Sequence, residues 1–197
     1  MTPKQAERIK SKIKKIKAAL AADKKRWGGQ YHDGQGLRYM PPELYLKIGD
    51  YSGSLRYFNW FKKTFPDDVG YPDFLFEWTI TLYKTKRIKE AEKKAIETFS
   101  GNSYLFDSYF GKPVIPIEKW EFSNFETKEF AESEFAYSFQ DTNLADFSEW
   151  LEGFLVSDKF VRFRDAYLHI HMRLKQEHDI ETRRQLIRER NLLFDSW

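Results

Sequence analysis

In the stretch GDYSGSLRYFNWFKKTFPDD, which begins at Gly49, the apolar residues Leu55, Phe58, Phe61 and Phe65 recur at steps of three and four. That period sets them on one side of an α-helix and does not fit the strict alternation of a half-buried strand. Upstream, Pro41 and Pro42 stand where the first turn of a short helix would begin, a position at which a missing amide proton costs little. The spacing therefore predicts a helical hairpin: a short helix over Glu43 to Ile48, a bend at Gly49-Asp50, and a second helix from about Ser52 to Phe65. Pro66 and the Asp67-Asp68 pair end it.

The next segment repeats this layout. Pro72 opens a helix with Leu75, Trp78 and Leu82 on one face, a turn falls near Lys84 to Arg87, and a further helix carries Ile88, Ala91, Ala95 and Phe99 up to a stop at Gly101-Asn102. Ser54 and Ala91 are equivalent small residues 37 positions apart (91 minus 54), an offset in the range of helical-repeat units. Small side chains at such positions let two helix backbones approach while the neighbouring rings fill the flanking volume.

On these residues the segment resembles the tetratricopeptide repeat family. Gly49-Asp50-Tyr51 is similar to the family's turn between helices, Ser54 to its small residue, Phe58 to its inner aromatic, and Pro66 to its terminal proline. Leu75, Trp78, Leu82 and Ala91 suit family positions in the second unit. Phe61 stands where alanine is usual, Thr79 replaces the usual glycine, and no proline follows Phe99. The resemblance covers residues 43–103. It implies an all-α chain whose antiparallel helical hairpins form a short right-handed solenoid followed by irregular C-terminal helices, with an extended concave surface for protein or peptide partners.

The flanking segments complete the organisation. Residues 1–26 form a basic amphipathic helix in which Ile9, Ile13, Ile16 and Leu20 make one narrow apolar stripe. Residues 27–42 hold four glycines and end in two prolines, and read as a flexible connector. Residues 104–197 supply further irregular helical pairs continuous with the same domain. A short helix before Gly111 is followed by a capping box, Ser123-x-x-Glu126, ahead of a helix with Phe130, Phe135 and Tyr137. That helix is expected to pair with one from Thr142 that carries Phe147, Trp150, Leu151 and Phe154. A last pair spans 158–176 and 180–194.

Charge is unevenly placed. Residues 1–26 contain ten Lys or Arg against Glu7 and Asp23, a balance of +8, whereas residues 100–158 contain three basic against twelve acidic residues, a balance of −9. No run approaches the roughly 18 apolar residues of a membrane span and no secretory signal is present, so a cytoplasmic location is the expectation; the absence of cysteine excludes disulfides and thiolate metal sites and leaves the redox compartment open.

These patterns nominate two surfaces. Tyr45, Arg56, Asn59, Trp60, Trp78 and Tyr83 are candidates for a protein-binding concavity, and Lys10, Lys12, Lys14, Lys15 and Lys17 for an anionic partner. His32, His169, His171 and His178 lack metal-ligand spacing, the glycine-rich loop lacks the phosphate-loop pattern, and no nucleophile motif is present, so no cofactor and no metal are expected. The reading is a non-catalytic scaffold or adaptor for another protein or peptide, with self-association open. The alternatives are an accessory nucleic-acid-binding protein using the basic helix and a helical enzyme with an acidic or His-containing site.

Overall fold

The computed structural model describes residues 1–195 and 197. Ten α-helices, and no strand, occur among the described residues: α1 (Pro3–Arg26), α2 (Pro41–Lys47), α3 (Tyr51–Thr64), α4 (Pro72–Lys84), α5 (Ile88–Gly101), α6 (Leu105–Tyr109), α7 (Lys128–Ser133), α8 (Ala145–Leu155), α9 (Asp158–Gln176) and α10 (Ile180–Asp195). The chain divides into two units, Met1–Lys94 and Ala95–Trp197, with the division inside α5.

In the first unit, α1 starts from a reciprocal cap in which Thr2 and Gln5 bond each other's backbone amides, and ends in Lys24, Lys25 and Arg26, which suit the negative end of the helix dipole. Its buried Ile13, Ile16 and Leu20 join Leu44 of α2 in one apolar cluster. Between α2 and α3, Gly49 takes a left-handed conformation at φ 68°, and the Asp50 carboxylate caps α3 by accepting from the Gly53 amide at 2.8 Å. Phe58 and Phe61 of α3 pack with Phe74 of α4 in a second cluster. Ser54 and Thr81, both fully buried, hydrogen-bond through their hydroxyls at 2.8 Å where α3 meets α4, so a small residue sits at a close helix contact with its polar atom satisfied. Ala91 is likewise fully buried on α5.

The glycine-rich segment 27–42 differs from a flexible connector because carboxylates hold it. Asp23 of α1 accepts from the amides of His32 and Asp33, at 2.9 and 3.1 Å. Asp33 in turn accepts from the amides of Leu37 and Arg38 and from the Arg38 guanidinium. Arg38 also reaches Asp68 at 2.8 Å, and Tyr39 donates to the same carboxylate at 2.6 Å. One guanidinium serves two carboxylates, Asp33 and Asp68, and the orphan amides of the turn at Leu37–Tyr39 find acceptors.

In the second unit α9 packs on α10, the pair expected of 158–176 and 180–194, whereas α8, expected to pair with the helix after Ser123, packs on α9. The stretch from Ser123 corrects the expectation. Ser123 caps only a 3₁₀ turn at Asn124–Glu126, and Thr127 caps α7, which is six residues long and packs on α6. Glu126 does not close a box on Ser123; its carboxylate accepts from the Phe122 amide at 3.1 Å. The cause lies in Asn102. Its fully buried side-chain amide donates to the carbonyls of both Phe125 and Thr127, at 2.8 and 2.9 Å, which fixes Thr127 in an extended conformation and interrupts any helix through this point.

Candidate functional site

Helix α1 turns its apolar stripe inward and its cations outward. At about 1.5 Å per residue its 24 residues extend about 36 Å. Lys10, Lys12, Lys14, Lys15 and Lys17 are all exposed; at roughly 100° per residue Lys14 and Lys15 lie on the side away from Ile13, Ile16 and Leu20, while Lys10, Lys12 and Lys17 flank that stripe. Lys10 is paired with Glu7 at 2.7 Å, and that bond raises its pKa. No carboxylate lies within ion-pair distance of Lys12, Lys14, Lys15 or Lys17 among the described residues. The residues between them on the outer face, Ser11, Ala18 and Ala19, are small and exposed, so the ammonium groups stand clear of their surroundings. The face offers point charges on flexible stems, without planar forks or rings.

The six candidates for a concave surface fall into two groups. Arg56 and Asn59, three residues apart on α3, are exposed. The other four are partly buried. Tyr45 packs on the α1–α2 cluster, and its ring would lie 2.7 Å from a Cβ added at Gly53. Trp60 bridges both clusters of the unit and meets Tyr57, Tyr31 and Phe65 edge-on or tilted. Trp78 stacks on Phe58 with ring centroids 4.6 Å apart, and the Lys94 ammonium lies 3.9 Å from the Trp78 ring centre. Tyr83 has Lys86 beside its ring. The structure therefore brings Tyr45 and Trp60 into shared packing and leaves Arg56 and Asn59 as the accessible polar pair.

The packing of Tyr45 makes Gly53→Ala informative. Alanine would add helix propensity worth about 1 kcal/mol, but its methyl would meet the Asp50 carboxylate at 2.3 Å and the Tyr45 ring. Displacing that cap costs about 1–2 kcal/mol, before the shift of the ring is counted. Net destabilisation of about 1 kcal/mol is expected in urea denaturation; a stabilised variant would show that Asp50 and Tyr45 move aside freely.

The histidines separate by burial. His32, His169 and His178 are exposed, whereas His171 on α9 is fully buried. Its Nδ1 bonds the Trp120 carbonyl at 2.8 Å, and its Nε2 has no hydrogen-bond partner. Burial holds its pKa down at about 4, with the Lys119 and Arg190 charges acting in the same direction. Nearby, Lys119 is almost fully buried and donates to Glu121 and to the Glu126 carbonyl, while burial raises the Glu126 carboxyl. Among the described residues no group of three His, Cys, Asp or Glu side chains could hold a metal ion, and no helix is long and apolar enough to cross a membrane.

Sequence reasoning nominated the α1 lysines but not the Asp23–Asp33–Arg38–Asp68 network that fixes the loop next to that helix. An Asp-Gly pair at Asp33-Gly34 marks a turn, yet nothing in the sequence pairs Arg38 with Asp68, thirty residues on. Comparison with protein-family models, with curated proteins and with solved structures finds no match.

Proposed function

We propose that the protein is a non-catalytic interaction module that holds an acidic protein segment on the outer face of α1, with α2–α4 as the rigid bed that orients this helix. In this reading the consecutive helices α2–α5 are a short tetratricopeptide-like array, as the residues Gly49-Asp50-Tyr51, Ser54, Phe58 and Pro66 suggest. The observation that carries the proposal is the state of the lysines. The isoleucine stripe is consumed inside the first unit, while Lys12, Lys14, Lys15 and Lys17 stay exposed without a neutralising carboxylate. Such a face attracts a polyanion over about a Debye length and releases it as salt rises.

An acidic peptide suits this face better than a nucleic acid does. Between Lys10 and Lys17 there is no aromatic ring to stack on a base and no arginine fork to bracket a phosphate or a guanine edge. The test is fluorescence anisotropy on the full chain with a labelled oligoglutamate peptide and a labelled single-stranded oligonucleotide of equal charge, at low and at physiological salt. Changing Lys10, Lys12, Lys14, Lys15 and Lys17 to glutamine should weaken the peptide severalfold at low salt and less at physiological salt, since five exposed and screened charges are lost. The helical circular-dichroism signal should be unchanged. Equal binding by both proteins would overturn the role of this face, and tighter binding of the oligonucleotide would transfer it to nucleic acid.

A further inference from the structure

The one buried histidine of the second unit closes a reciprocal clasp. The Trp120 amide donates to the His171 carbonyl at 2.9 Å, and the His171 ring bonds the Trp120 carbonyl at 2.8 Å. A carbonyl only accepts, so Nδ1 carries the proton and the orphaned Nε2 is a bare lone pair. We propose that the segment Ile117–Phe122 is an acid-released strap, shut on α9 by neutral His171 and opened when that ring gains a second proton.

The surroundings of the ring set the direction. Tyr167 stacks on it at 4.2 Å, Phe122 meets it edge-on at 5.7 Å and Trp120 lies 6.3 Å away, so a proton on Nε2 would enter an aromatic enclosure with no acceptor. The charged and titratable groups facing the clasp come from every element packed there. The strap supplies Lys119 and Glu121, the 3₁₀ turn Glu126, α9 Tyr167, and α10 Arg183 and Arg190, which lie over the Trp120 and Phe122 rings. Lys119 and Arg190 both disfavour a cationic imidazole. The strap is also tied by the mutual bonds of Ile117 with the Tyr104 hydroxyl, by Lys119 and the Phe122 amide, which donate to the carbonyl and the carboxylate of Glu126, and by an exposed ion pair between Glu118 and Lys175. Opening would bare the half-buried Trp120 ring beside Phe122, which is already 48% exposed.

The sign follows from linkage. With its pKa in the closed state lowered to about 4 against an ordinary value of 6.5, His171 contributes its full stability above pH 6.5 and loses it as pH falls toward 4. Each pH unit inside that window shifts the opening equilibrium about tenfold. Glu126 acts in the opposite sense, because burial raises its carboxyl and protonation relieves that strain. Glu126→Gln should therefore sharpen the acid response.

The experiment is amide hydrogen exchange by NMR on the full chain between pH 7 and 4.5, corrected for intrinsic rates, with the His171 ring shifts followed in parallel. The Trp120 amide should lose about 100-fold of its protection. The ring should hold its Nδ1–H tautomer for as long as the Trp120 amide stays protected. His171→Gln, which cannot titrate, should flatten the exchange profile. Unchanged Trp120 protection across the range, the same fall in His171→Gln, or a His171 ring that gains its second proton while the strap stays closed would each overturn the proposal. The ring titration is read in the native protein, so it decides even if the variant fails to fold.

Discussion

Phe58→Ala is expected to destabilise the first unit by about 3–5 kcal/mol, while the adjacent Asn59→Ala changes stability by less than about 0.5 kcal/mol. Phe58 is fully buried. Its ring stacks on Trp78 at 4.6 Å with an interplanar angle of 12°, and meets Phe74 at 5.1 Å edge-on. Truncation removes the apolar transfer energy of the ring and leaves a hole between α3 and α4, whose walls are themselves rings fixed by other contacts. Phe61 and Phe74, with centroids 4.7 Å apart, cannot close that hole without giving up their own packing. The aromatic pairing adds a further increment, about 0.5–1.5 kcal/mol for each well-oriented ring pair. Exchange of α3 amides in the full chain under increasing urea reads this directly. A loss below 1 kcal/mol in Phe58→Ala would mean that the unit repacks and that Trp78 is not anchored by this contact.

The same residues show why part of the fold was legible. Ile13, Ile16 and Leu20, or Phe58 and Phe61, repeat at intervals that only a helix can align, and the breaks between them are glycines, prolines and Asp50, whose capping chemistry is local. Helix α4 runs from Pro72 to Lys84 and α9 from Asp158 to Gln176, where local signals placed them. What failed was decided at a distance. Ser123-x-x-Glu126 is a sound local signal, but Asn102, more than twenty residues earlier, takes the carbonyls of Phe125 and Thr127 and moves the helix start to Thr127. The α1 lysines were legible because their exposure follows from the position of the isoleucines. The surroundings of His171 were not, since the strap from Ile117 to Phe122 has no periodicity and meets α9 through backbone atoms that every residue possesses.

Distance also decides the loop between α1 and α2, and Asp33→Ala should cost about 2–4 kcal/mol, because it leaves two amides without acceptors while Arg38 keeps only Asp68. The Asp33 side chain is 1% exposed and that of Arg38 is 22% exposed. Alanine would strand the Leu37 and Arg38 amides together with one arm of the guanidinium. It would also occupy a backbone conformation with φ 35°, which asparagine tolerates better than alanine does. Asp33→Asn keeps an acceptor for the amides and forfeits only the charge, so a smaller loss of about 1–2 kcal/mol is expected. The consequence reaches α1, because Asp23 near its C-terminal end holds the His32 and Asp33 amides. Once the loop is freed, the last turns of α1 lose that tie, and their amides should exchange faster in Asp33→Ala than in Asp33→Asn. Equal stability of the two variants would place the cost in the negative charge, which both remove, rather than in the stranded amides or the turn geometry. Unchanged exchange at the end of α1 would mean that the isoleucine stripe alone orients the basic helix.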